Sequence, residues 1–288
     1  MGHHGRYRVP RARLQVLQEN DRRPRKHTKV LWRIVVVGSH EVGKEDQDVW
    51  TVIFLTFNCK VNRIHSKNQK MDDIDYLESM LRRQNNYRIT PLVRFPLCVQ
   101  RIELLKWMYT ICNVNKTPPI VFFMAANLMD RGVCTIQPST QDEAMLIAGT
   151  AIYISSKLEE TYPMVPEDIT YYSENRFSRM EIVSMERELI SALKFYINPP
   201  TTYHFLLAFW NADTSVSVWG QTRAHDILVK SMRDLELLRE YSSSEIAAGV
   251  LYIMRYKDIP GRNWAYKMER ITHVTDANVV VIASKLPM

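Results

Sequence analysis

Glycine is scarce in this chain, nine residues in 288. A β protein with many turns needs more, so the scarcity, together with abundant Leu, Met, Ala and Lys/Arg, points to helices. Cysteine is also rare: Cys59, Cys98, Cys112 and Cys134 show no C-x-x-C spacing and no histidine cluster beside them. That excludes a disulfide or zinc framework and leaves the thiols as small apolar side chains of a reducing compartment. Long apolar runs are missing too. Val35-Val36-Val37 and Val52-Ile53-Phe54-Leu55 are far too short for a bilayer, and the Arg-rich start lacks the apolar stretch of a secretory signal. What is present is 46% hydrophobic residues, enough for one large core or two smaller ones, and a net charge of +7.

The basic charge is concentrated early, in Arg6, Arg8, Arg11, Arg13, Arg22, Arg23, Arg25, Lys26 and Lys29. Residues 1–29 are predicted to be a disordered basic tail, either simply solvated or carrying an import address or a nucleic-acid contact. Residues 30–70 hold two strand-like apolar runs around a polar turn, with no helical period. From there to the end the helical period dominates, and it divides in two, 71–198 and 199–288. The first set of predicted helices lies near 73–81, 96–112, 120–129, a segment through Lys157, and a segment from Ser178. The second lies near 201–211, 218–238, 243–256, 264–269 and 276–286.

Local signals mark several starts. Thr117-Pro118-Pro119 offers an N-cap and a first-turn proline. Ser139-x-x-Asp142, Thr140-x-x-Glu143, Ser178-x-x-Glu181 and Ser242-x-x-Glu245 are capping-box patterns. Ile147-Ala148-Gly149 and Ala247-Ala248-Gly249 lie 100 residues apart, one in a helix of each set. Small residues there would let neighbouring helices approach a central one closely.

The most specific stretch is Ser155-Ser156-Lys157-Leu158-Glu159-Glu160-Thr161-Tyr162-Pro163, followed 29 residues after Lys157 by Met185-Glu186. By itself Lys157 reads as a cation favouring a helix C-terminus, and Glu186 as a solvated face charge. Together with Arg101, Asp130 and Leu146 at matching offsets, however, the stretch resembles the cyclin box of A- and B-type cyclins. The likeness covers roughly residues 72–286. Ser244-Glu245-Ile246-Ala247-Ala248-Gly249 and Pro200-x-x-Tyr203-His204-Phe205-Leu206 resemble B-type cyclins in particular.

The resemblance implies an all-α fold of two tandem five-helix repeats and a non-catalytic regulatory subunit, with no cofactor, no metal and no catalytic residue. Its implied partner is a cyclin-dependent Ser/Thr protein kinase, bound as a heterodimer in G2/M control, in nucleus and cytoplasm, without membrane or direct nucleic-acid contact. Lys157 and Glu186 would meet the kinase, flanked by Leu158, Ile190, Phe195 and Ile197; Leu193 reads equally as flank or core. Arg101 and Asp130 would form an internal ion pair tying two helices together, each charge ending an apolar helix, and Leu146 would be core.

The sequence also departs from the family. Where cyclins carry an apolar substrate-docking patch, this chain has Gln100 and Glu103, with Leu104 and Trp107 retained. A leucine side chain bound there would meet a carboxylate, which is costly to desolvate. Arg11-x-x-Leu14-x-x-Leu17-x-x-Asn20 resembles a destruction box read by ubiquitin-ligase machinery, and Arg22-Arg23-Pro24-Arg25-Lys26 an import signal. A rival reading is a phosphate loop at residues 38–45, from Gly38 to Gly43-Lys44, but Glu45 stands where a Ser/Thr hydroxyl should bind Mg²⁺. Another is a cyclin-fold transcription factor, which would need a basic helix face that the repeats lack.

Overall fold

The computed structural model describes residues 67–89, 98–212, 218–256, 264 and 266–287. Among them every regular element is helical. Helix α1 (Lys67–Arg83) passes into a 3-10 turn (Gln84–Tyr87). A first set follows: α2 (Cys98–Val114), α3 (Pro119–Ile136), α4 (Gln141–Glu159), α5 (Pro166–Tyr172) and α6 (Arg179–Ala192). A second contains α7 (Thr202–Ala212), α8 (Val218–Ser231), the short α9 (Leu235–Glu240), α10 (Ser243–Tyr256), α11 (Tyr266–Thr272) and α12 (Asp276–Lys285).

Three boundaries differ from the sequence-based expectation. Helix α1 starts at Lys67, inside the segment expected to be strand-like, because Lys67-Asn68-Gln69-Lys70 has no apolar residue to reveal a period. Helix α5 was not predicted: its seven residues are too few for periodicity. It is started instead by Pro166 and by Asp168, whose carboxylate accepts from the Val165 N–H at 2.8 Å. The first set is therefore five helices, α2–α6, with α1 standing before it. The span expected as one helix over 218–238 breaks at Met232-Arg233, and Asp234 restarts the chain by accepting from the Leu237 N–H at 3.0 Å.

The capping chemistry follows the sequence closely. At α4 the box closes on Thr140, with Glu143 reaching back to the N–H groups of Ser139 and Thr140. At α6 Ser178 and Glu181 do the same, and at α10 Ser242 and Glu245. These hydrogen bonds hold the Glu143 and Glu181 carboxyls below their usual range. Thr117 behaves differently from expectation. Its hydroxyl donates to the Cys112 carbonyl at 3.3 Å and so closes α2, while α3 begins at Pro118-Pro119 without a side-chain cap.

Helix α3 is apolar nearly all round, buried from Val121 through Ala126 and from Leu128 through Cys134. Its length and composition alone would suit a membrane span, but it packs instead against α4 and α7 as a bundle core. Gly149 lets α4 sit on α5 and α2: a Cβ there would lie 2.7 Å from Ile169 Cγ2 and 3.3 Å from Trp107 Cη2. Gly249 does the same for α10, with α12 as the neighbour, 2.7 Å from Ile282 Cγ2. Leu146 is half-buried rather than core.

The two sets meet at an aromatic seam. Phe123 of α3 stacks on Tyr203 of α7 at 5.3 Å, and His225 of α8 stands edge-on to both at 5.8 Å. His204 completes the start of α7, its Nδ1 accepting from the Thr201 N–H at 3.2 Å. Burial pushes both imidazoles down to about 4, aided at His204 by the Arg83 charge. Unfolded histidine takes its proton near pH 6.5. The stabilisation is therefore complete above pH 6.5 and disappears as pH falls towards 4. Each histidine contributes at most about 3 kcal/mol. The melting temperature is expected to hold from pH 8 to 7 and to fall steadily from 6.5 to 4.5, with replacement of His225 by Phe flattening part of that fall.

Candidate functional site

The stretch from Ser155 onward ends α4 as a built corner. Ser156 is fully buried; its hydroxyl accepts from the Met164 N–H at 2.7 Å and donates to Glu160 Oε2 at 2.6 Å. That fixes the turn Thr161-Tyr162-Pro163 and leaves Tyr162 91% exposed. Immediately before it, Lys157 leans over the Tyr153 ring, 4.3 Å from its centroid, and forms an ion pair with Glu186 of α6. The lysine side chain is 36% exposed and the glutamate 14%. The two helix positions are brought together by the packing of α4 on α6, and the pair faces solvent.

Its flanks are apolar. Leu158 is 41% exposed and Phe195 78%, while Ile190 and Ile197 are half-buried. Leu193 is buried and belongs to the core. Phe195 owes its exposure to the chain after α6: Lys194 and Phe195 both adopt left-handed backbone conformations, φ 51° and 64°. Few β-carbon residues accept that region, and a bulky aromatic rarely does.

Arg101 and Asp130 form the expected internal pair, as two parallel 2.7 Å hydrogen bonds, with both side chains sealed from solvent. Neither residue ends its helix as expected: Arg101 is the fourth residue of α2, and Asp130 lies six residues inside the end of α3. The sequence missed a third connection: Arg101 Nη1 also donates to the Met232 carbonyl at 2.8 Å and, more weakly, to that of Arg233. These are the carbonyls left over where α8 ends, and the arginine satisfies them. One guanidinium thus joins α2, α3 and the second helix set.

The altered patch on α2 is only partly a surface. Glu103 is exposed and paired with Lys106 at 2.8 Å, and Gln100 is half-buried with its Oε1 out of water and without a hydrogen bond. Leu104 is buried, contrary to a docking role, and Trp107 donates its indole N–H to the Tyr172 carbonyl at 3.2 Å. The proposed destruction box at Arg11, Leu14, Leu17 and Asn20, the import signal and the phosphate-loop segment all lie outside the described residues.

Among the described residues no group of His, Cys, Asp and Glu could hold a metal ion. Cys112 and Cys134 are buried free thiols, and burial raises Cys112 to about 12, so neither is a nucleophile at neutral pH.

Comparison with known proteins agrees with this architecture. The family described as "Cyclin, N-terminal domain" matches residues 67–198, and "Cyclin, C-terminal domain" matches 200–287. A G2/mitotic-specific cyclin-B of Dictyostelium discoideum is 27% identical over 232 residues, 78% of this chain and 50% of that protein. A G1/S-specific cyclin-D1 of Danio rerio is 27% identical over 162 residues, 53% of this chain and 55% of that one. The chain spans about half the length of these relatives. Among solved structures, a viral cyclin from herpesvirus saimiri shares the fold, with a TM-score of 0.58 at 22% identity over 74% of this chain and 96% of that one. B-type and D-type relatives match equally well, so the B-type features in the second repeat do not fix a subtype. With both cyclin domains matched in order across the two helix sets, the chain belongs to the cyclin family.

Proposed function

We propose that this chain is the regulatory subunit of a cyclin-dependent Ser/Thr protein kinase and supplies no catalytic group itself. The observation that carries the reading is the solvent-facing Lys157–Glu186 pair, held on two packed helices and flanked by exposed Leu158 and Phe195. A kinase is active when the lysine of its third strand pairs with the glutamate of its mobile helix. A rigid surface that binds this active arrangement better than the inactive one activates the enzyme by that difference in affinity alone. Lys157 and Glu186 offer one charge of each sign to the mobile helix and the loop before it. The apolar flanks supply area, and obligate interfaces of this kind bury on the order of 2,000 Å² or more.

G2/M timing is the finer part of the proposal, supported by the B-type stretch around Ala247-Ala248-Gly249 and by His204-Phe205-Leu206. Nuclear and cytoplasmic residence rests on Arg22-Arg23-Pro24-Arg25-Lys26, and turnover by ubiquitin-ligase machinery on Arg11, Leu14, Leu17 and Asn20. The test is to mix the full chain with purified monomeric cyclin-dependent kinases. Co-elution with one of them and phosphorylation of a histone substrate only in the mixture is expected. No complex at micromolar concentration with any of them would overturn the proposal.

A further inference from the structure

Arg131, beside Asp130 in sequence, is a buried cation with no carboxylate paired to it among the described residues. It is 8% exposed, and Asp130 is already held on both oxygens by Arg101. The Arg131 guanidinium donates to the Tyr196 carbonyl at 2.8 Å and, at the limit of a hydrogen bond, to Asn127 Oδ1 at 3.5 Å. It lies 5.1 Å from the centroid of the Tyr87 ring, which in turn stands edge-on to Tyr196 at 5.8 Å. Asn127 Nδ2 donates to the Tyr87 carbonyl at 3.1 Å, so the same helix turn holds the segment after α1. Burial lowers the arginine to about 10, still charged at neutral pH. Keeping a guanidinium in such a place on neutral acceptors alone is unfavourable for folding.

What it holds is the carbonyl that follows the left-handed pair Lys194-Phe195. The turn is otherwise secured by backbone bonds from the Phe195 N–H to the Ile190 carbonyl at 3.0 Å and from the Tyr196 N–H to the Leu193 carbonyl at 2.9 Å. Two successive non-glycine residues in that region are strained, and strain persists only where surroundings over-determine it. We propose that Arg131 is a positioning residue: it braces the Tyr196 carbonyl against α3 and the Tyr87 ring, and so presents Phe195 preformed to the kinase. The inference rests on the kinase-binding reading. It adds a residue that touches no partner and acts through the turn, by lowering the ordering cost of binding.

The test has two arms. In the free full chain, hydrogen exchange of the Phe195, Tyr196 and Ile197 amides is compared between wild type and Arg131→Met; faster exchange there, with α3 unchanged, is expected. Unchanged exchange overturns the brace whatever the kinase does. In the second arm, kinase affinity is measured for Arg131→Met, Phe195→Ala and both together. Arg131→Met alone should weaken binding about tenfold, but less than about twofold when Phe195 is already alanine. Equal losses in both backgrounds overturn the proposal.

Lys194→Gly, which makes the left-handed conformation easy, should restore much of the Arg131→Met loss, as a general packing defect would not allow. If Arg131→Met fails to fold, Arg131→Gln carries both arms, since its shorter, uncharged side chain falls short of the Tyr196 carbonyl. If Lys157→Ala weakens binding and Arg131 variants do not, the brace fails and the kinase reading stands. If wild type binds no kinase, both fall.

Discussion

Asp130→Ala is expected to destabilise the chain by about 3–5 kcal/mol, the range for removing one partner of a buried ion pair. Total stability of a domain is on the order of 5–15 kcal/mol, so the variant should melt far lower or fail to fold. The reason is specific. Arg101 sits at 1% exposure and would lose both hydrogen bonds to Asp130, keeping its full charge beside neutral acceptors such as the Met232 and Arg233 carbonyls. Asp130→Asn keeps an acceptor and should cost less. Replacing both residues, Arg101→Met with Asp130→Leu, should recover much of the single-variant loss, because no unpaired charge remains. Recovery should be incomplete, since the α8 carbonyls lose their donor. Chemical denaturation of wild type, Arg101→Met, Asp130→Leu and the double variant checks this, and strict additivity of the two single losses would contradict it.

Lys157→Glu is expected to weaken kinase binding about 100-fold, equivalent to about 2.8 kcal/mol. It places a carboxylate against Glu186 on the partner-facing surface. Folding should lose a modest amount of stability, because Lys157 is only partly covered while Glu186, 14% exposed, would face a like charge. The informative companion is the swap, Lys157→Glu with Glu186→Lys. It restores an ion pair within the chain but reverses its polarity towards the kinase. Binding should remain weak while stability returns to wild type. A swapped protein that bound as tightly as wild type would mean that the pair serves only to join α4 to α6.

Much of this arrangement could be read from the sequence where the chemistry is local. The boxes at Thr140, Ser178 and Ser242 announce their helices because side chain and backbone partner lie three residues apart. Lys157 and Glu186 were legible as a motif, and the packing of α4 on α6 brings them into contact. Two short elements were not legible: α5 and α9 are started by single carboxylates and are too short to show a period. Nor were long-range contacts. The reach of Arg101 to Met232 spans 131 residues, and Arg131 to Tyr196 spans 65. The exposure of Phe195 depends on two left-handed residues that no glycine announces. Leu104 and Leu193, apolar and beside functional positions, turn inward because helix phase, not neighbourhood in sequence, decides which face is buried.

On the proposed reading the kinase is held by the end of α4, the exposed face of α6 and the turn after it. Hydrogen exchange of the full chain, with and without a saturating cyclin-dependent kinase, tests it most directly. New protection is expected at residues 153–162 and 186–197, with α10 and α12 unchanged. Protection confined to the second helix set, with those two segments exchanging as in the free chain, would contradict it.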